Sequence, residues 1–147
     1  MAAIPAPAKN LSEKAVTDRM FTIAQIDDLH DRLGNMETFP QYVRALNSLG
    51  VQTYHSYLTD GHSEYFATNG YTIKSPAAHE QLAIADSSNR EQFLGHLNLH
   101  NQHKTSYIEM SNGLADSGIE KWTVDTNKMT VTFYDKAGNE MLIEAIE

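Results

Sequence analysis

From Ile23 onward the apolar residues keep two different rhythms, and each change of rhythm marks a change of element. Ile23, Ile26, Leu29 and Leu33 recur at the three-to-four spacing of one helical face, and Gly34 follows as a stop. Thr22 and Gln25 form a capping-box pair ahead of them, hydroxyl and amide each meeting a backbone N–H that the first turn leaves unpaired. A second helix is expected from near Thr38, with Pro40 in its first turn, where a missing N–H costs nothing. Phe39, Tyr42, Val43, Leu46 and Leu49 make its apolar face, and Gly50 ends it.

The period then falls to 2. Val51 to Thr59 is aromatic and β-branched, Asp60-Gly61 signals a two-residue hairpin, and His62 to Thr68 returns. Asn69-Gly70 turns the chain into Tyr71–Lys74, and Ser75-Pro76 breaks the run. The same order then recurs. Ser88 and Glu91 predict a capping box for a helix carrying Phe93, Leu94 and Leu97; Thr105 is expected to cap the next, which carries Tyr107, Ile108, Met110 and Leu114 and stops at Gly118. Strands are expected at Ile119–Asp125, Lys128–Asp135 and Glu140–Ile146, joined near Thr126-Asn127 and Ala137-Gly138-Asn139.

The two halves align at one constant offset without a gap: 46 with 114, 50 with 118, 54 with 122, 65 with 133 and 70 with 138. The matches fall on helix stops, turn glycines and core aromatics, where geometry limits the choice of residue. The expectation is an α+β fold made of an internally duplicated helix-helix-three-strand unit, with antiparallel sheet or sheets and helices packed on one face. The pseudo-repeats would span about 20–78 and 88–147, within a single domain of residues 20–147. One six-stranded sheet and two three-stranded sheets both satisfy the pattern. Residues 1–19 read as a mobile N-terminal extension, since Pro5 and Pro7 interrupt any early helix, and Met20 reads equally as a second initiator or a core methionine.

Composition narrows the function by exclusion. The 147 residues carry a formal net charge of −8 and no cysteine. The charge repels phosphate backbones and no Lys/Arg stripe offsets it, so nucleic acid is not an expected partner. Lack of cysteine removes disulfides and thiolate metal sites and favours a cytoplasmic setting. No apolar run approaches the roughly 20 residues that span a bilayer, so no membrane partner is expected. Nucleophile-elbow and dinucleotide motifs are missing, and Lys104-Thr105 lacks the glycines of a phosphate loop. No cofactor is expected. A small-molecule ligand, a protein partner and a second copy of the chain all stay open.

Duplication makes one copy a control for the other. A two-residue turn sets Leu58 opposite Ser63 and Ser56 opposite Tyr65, so Tyr54, Ser56, Leu58, Ser63 and Tyr65 share a face. Their counterparts Trp122, Val124, Thr126, Val131 and Phe133 are apolar fillers with one threonine. Small hydroxyls between aromatic walls suit a polar-tipped pocket, and Tyr54, Ser56, Ser63 and Tyr65 are the expected ligand-binding residues; a half-solvated face is the plainer account. The opposite face carries His55, His62 and Glu64, catalytic candidates because a carboxylate can fix a histidine tautomer for acid–base work near neutral pH. An ordinary cross-strand ladder explains them as well. His96, His100 and His103 sit at i, i+4 and i+7, where two imidazoles can meet one metal, but no further ligand is placed to complete a site, and a solvated stripe is the expectation.

The run Tyr54-His55-Ser56-Tyr57-Leu58-Thr59-Asp60-Gly61-His62-Ser63-Glu64-Tyr65-Phe66 resembles that of the YbcV-like family of unknown function. So do Ser117-Gly118-Ile119-Glu120-Lys121-Trp122 and Tyr134-Asp135-Lys136-Ala137-Gly138-Asn139-Glu140. The resemblance runs from about Met20 to the C-terminus. It implies a small cytosolic α+β protein of bacterial or prophage type, some relatives being labelled phage envelope protein, and it implies no catalytic residues. Of the three helical histidines, only His100 falls where the resemblance expects one.

Overall fold

The computed structural model describes residues 21–147; the expected extension over 1–19 and the reading of Met20 lie outside the described residues. Helix α1 (Ile23–Leu33) begins at the Thr22–Gln25 capping box, with the Gln25 N–H donating to Thr22 Oγ1 at 3.2 Å and the Thr22 N–H to Gln25 Oε1 at 2.9 Å. A 3₁₀ turn (Met36–Thr38) leads to α2 (Phe39–Leu49), which has Pro40 in its first turn and ends at Gly50 with φ of 111°. That left-handed backbone is open to glycine at no steric cost. Strands β1 (Thr53–Tyr57), β2 (Ser63–Phe66) and β3 (Thr72–Lys74) follow, then helices α3 (Arg90–Asn101) and α4 (Tyr107–Asp116), then β4 (Ile119–Asp125), β5 (Thr130–Asp135) and β6 (Glu140–Ala145).

Both helix starts of the second half fall one residue later than the pattern predicts. Asn89, not Ser88, accepts the Gln92 N–H and caps α3. Ser106, not Thr105, forms a capping box with Glu109, while the Thr105 hydroxyl lies 3.3 Å from His100 Nδ1. The Thr105 hydroxyl already has a partner across the turn, so its neighbour takes the cap.

The six strands form one antiparallel sheet in the order β3-β2-β1-β4-β5-β6. The first strand of each half pairs at the centre and the third lies at an edge. All four helices pack on one face. Phe21, Ile26, Tyr42, Val43 and Leu46 meet Tyr54, Tyr65 and Val124 in one cluster; Phe93, Leu97, Met110 and Leu114 meet Phe133 and Leu58 in another. Trp122 and Val131 border both clusters. Trp122 is thus half-buried rather than sealed in the core.

The first hairpin departs from its expected register by two residues. Ser56 pairs with Ser63 and Tyr54 with Tyr65, leaving a four-residue loop, Leu58–Gly61, in place of a two-residue turn. Leu58 is drawn out of the ladder: its side chain is 1% exposed within the second cluster, and its N–H donates to the Glu120 carbonyl at 2.8 Å. The Asp60 carboxylate accepts the His62 N–H at 3.0 Å and closes the loop. Since side chains alternate with a period of 2, an even shift keeps every residue on its expected face.

Candidate functional site

On the helix-covered face, β1 and β2 bring together all four expected ligand-binding residues. Tyr54 and Tyr65 are buried with ring centroids 5.5 Å apart. Ser56 and Ser63 are half-buried, and their hydroxyls hydrogen-bond at 2.9 Å. Ser75 Oγ accepts the Ser63 N–H at 2.8 Å and places a third hydroxyl beside them. Tyr42 of α2 is buried in the same cluster as Tyr54 and Tyr65 and brings a third phenol to this side of the sheet. Burial holds Tyr42, Tyr54 and Tyr65 above the ordinary phenol range, so each keeps its proton and can donate.

Cross-strand partners place this group at a junction. Ser56 faces Ser63 on one side and Trp122 on the other, and along β1 it lies between Tyr54 of the first cluster and Leu58 of the second. The matched hairpin pairs Trp122 with Phe133 and Val124 with Val131, the same register with methyls in place of hydroxyls. Two apolar clusters thus meet across a line that is polar only in the first hairpin.

The open face carries the three catalytic candidates. One row crosses the whole sheet: Lys74, Glu64, His55, Thr123, Thr132 and Ile143. His62 is held from both sides, Nδ1 at 2.6 Å from Asp60 Oδ1 and Nε2 at 3.1 Å from Glu64 Oε2, while its ring stacks on Tyr57 at 4.6 Å and 6°. Burial opposes a charged ring here, but the bonds to Asp60 and Glu64 outweigh it, so the His62 pKa lies above the ordinary value. Asp60, bonded to His62, lies below the carboxylate range; Glu64 does too, its burial overcome by His62 and Lys74. An imidazole donating from both nitrogens has no lone pair for a substrate proton. When protonated it is a cationic strut between two carboxylates.

His55 behaves in the opposite way. Burial, with Lys121 next, lowers its pKa, and its Nδ1 lies 2.7 Å from Thr123 Oγ1. Lys121 itself sits between two aromatic faces, 5.8 Å from the Tyr57 centroid and 5.4 Å from that of Tyr134. Asp60 and Lys121 were not singled out from sequence, although Asp60, His62 and Glu64 alternate at the strand period, a signal masked by reading Asp60 only as a turn residue.

The remaining histidines disperse. His96 packs against Gly113, His100 Nδ1 is 3.1 Å from the Thr105 carbonyl, and His103 lies beyond α3 at φ of 61° with Glu37 3.4 Å away. Among the described residues, no three His, Cys, Asp or Glu side chains gather as metal ligands. An open groove of about 450 Å³ runs between α1 and α2, edged by Asp28, Leu29, Arg32 and Leu49, and includes none of the expected site residues. Among the described residues, no helix is long and apolar enough to cross a membrane.

Fold and site define an α+β protein with four helices on one face of a six-stranded antiparallel sheet. Residues 27–145 match the family model described as protein of unknown function (DUF1398), and the chain belongs to that family. No curated protein matches it.

Proposed function

We propose that the protein binds a small polar molecule where the two helix-packed clusters meet, with Tyr54, Ser56, Ser63 and Tyr65 lining the site and Trp122 at its border. The observation that carries this reading is the Ser56–Ser63 pair. Two half-buried hydroxyls face each other on the covered side of the sheet, at positions where the second hairpin sets Val124 against Val131. Packing alone does not call for serine there, since a hydroxyl shielded from water needs a partner and adds less apolar contact than a valine. The neighbouring neutral phenols add donors and stacking surface.

The reading includes a cytoplasmic protein of prophage or bacterial type arisen by duplication of one helix-helix-three-strand unit, its first copy specialised for the ligand. Trp122, next to Ser56 across the strand pair, is the only tryptophan and serves as the reporter. Screening polar metabolites by tryptophan emission should find a saturable ligand, and Ser56→Val with Ser63→Val should remove the response. A ligand whose affinity is unchanged in the double variant would refute the site. The alternative of a cofactor-free acid–base enzyme is weakened by the doubly bonded His62, and the alternative of a protein-interaction module would use the open sheet face instead.

A further inference from the structure

Among the described residues the sheet has two outer strands, β3 and β6, and they differ in kind. β3 has three residues, with Thr72 and Lys74 exposed, and Ser75-Pro76 follows it. Short length, a lysine and a nearby proline are means by which an edge avoids pairing with another chain. β6 has six residues, none of them lysine or proline. In its middle stands Ile143, 55% exposed, the most exposed large apolar side chain among the described residues.

The outward backbone groups of β6 follow from one hydrogen bond. The Ile146 N–H donates to the Met129 carbonyl at 2.8 Å, on the β5 side. Across a trans peptide the carbonyl points the opposite way, so the Ala145 C=O faces outward. Alternation along the strand then turns outward the N–H groups of Ile143 and Ala145 and the carbonyls of Met141 and Ile143. The Arg90 guanidinium, at the start of α3, donates to the Met141 carbonyl, which agrees with that direction.

We propose that β6 pairs with β6 of a second copy of the chain, antiparallel about a twofold axis at Ile143, and so joins two six-stranded sheets into one. Ile143 then exchanges its N–H and C=O with those of its own image, and the two exposed side chains pack together on the open face. Each Ala145 N–H reaches the Met141 carbonyl opposite, whose second lone pair is available beside Arg90. Charge selects this register. A twofold at Leu142 would set Glu140 against Glu144 on both sides, and one at Glu144 would set that residue against itself. Like charges directly opposite are destabilising. With the axis at Ile143, each Glu144 instead faces Leu142 of the other copy. Both lie on the helix-covered side, since Glu144 pairs with Val131 and Leu142 with Phe133. Arg90 reaches Met141 from α3 on that same side, so it meets the Glu144 of the second copy. This self-complementarity, apolar to apolar on the axis and Arg90 to Glu144 on either side of it, singles out a second copy over an unrelated strand.

The full chain has no cysteine, so one introduced thiol reports the register. Directly opposed hydrogen-bonded residues stand about 5.5 Å apart at Cα, within disulfide reach. Under mild oxidation Ile143→Cys should form a covalent dimer. Ala145→Cys should not, because its image lies four residues along the strand, roughly 13 Å away. Neither should Leu99→Cys, at a position 40% exposed on α3. Sedimentation over a dilution series should show the unaltered chain in reversible monomer–dimer equilibrium. Glu144→Arg should weaken the association about tenfold, as two symmetric ion pairs become repulsive, and adding Arg90→Glu to the same chain should restore it. Far-UV circular dichroism checks that each variant folds. An unaltered chain that stays monomeric at every concentration, a dimer that Glu144→Arg leaves unchanged, or cross-linking of Ala145→Cys or Leu99→Cys as fast as that of Ile143→Cys would overturn the proposal.

Discussion

His55 and Thr123 face each other across the central strand pair, joined by a 2.7 Å contact between Nδ1 and Oγ1 and separated by 68 residues of chain. That separation equals the offset at which the two halves align. The residue pairs on either side are interchanged matches: Tyr54 faces Val124, and Ser56 faces Trp122. A twofold axis relating the halves would pass between His55 and Thr123. An experimental structure should superpose residues 22–74 on 90–142 with all five elements in the same order and direction. The hairpins should fit best and β6 worst, since the register shifts between Phe133 and Tyr134.

The same contact has a measurable strength. A double-mutant cycle with His55→Leu and Thr123→Val, read by urea unfolding, should give a coupling of about 0.5–1.5 kcal/mol, that of one partly buried hydrogen bond. Additive effects would mean the contact contributes nothing to stability.

Replacing Ser56 and Ser63 together by valine should preserve or raise thermal stability, because the second hairpin already accommodates Val124 against Val131 in that register. Either serine changed alone leaves the other hydroxyl without its partner and should cost about 1 kcal/mol. A double variant less stable than both singles would show that the hydroxyls are required for packing rather than for a ligand.

Stability should depend on pH through the strut at His62. Its raised pKa contributes stability that is complete below the ordinary histidine value, about 6.5, and is lost as pH rises through the shifted value. The depressed Asp60 and Glu64 contribute stability that is present above about 4 and lost as pH falls through their shifted values. The three effects coincide between about pH 5 and 6. His62→Gln should flatten the alkaline side of the unfolding profile; an unchanged profile would show that the charges are screened.

Trp122→Ala should cost about 3 kcal/mol, the low end for a large aromatic, since the ring is half-buried yet touches both apolar clusters. Its emission should be blue-shifted from that of free tryptophan. A loss under 1 kcal/mol would contradict its place at the junction.

The helices, the strand order within each half and the two faces of the sheet were legible because each rests on a local period or a stop residue. The hairpin register was not. Asp60-Gly61 invites a two-residue turn, but burial of Leu58 against α3 and α4, a contact distant in sequence, overrides it. Two helix caps moved by one residue, from Ser88 to Asn89 and from Thr105 to Ser106, the second because the Thr105 hydroxyl meets His100 across the turn. At the site, the four inward residues could be grouped by alternation alone. The bonding of both His62 nitrogens needed the loop to close before Asp60 came within reach.

The two apolar clusters do not divide where the sequence divides. Leu58 of the first half lies in the cluster built on the helices of the second, while Val124 and Ile146 of the second complete the cluster under the helices of the first. Each half thus lends side chains that the other cannot supply, and a fragment ending near residue 80 would lack part of its own floor. Expressed apart, the pieces should be poorly folded and should recover structure on mixing, so the smallest unit that melts as one is the pair. Under the proposed duplication, a single unit has no closed core until a second copy of itself completes the floor beneath its helices.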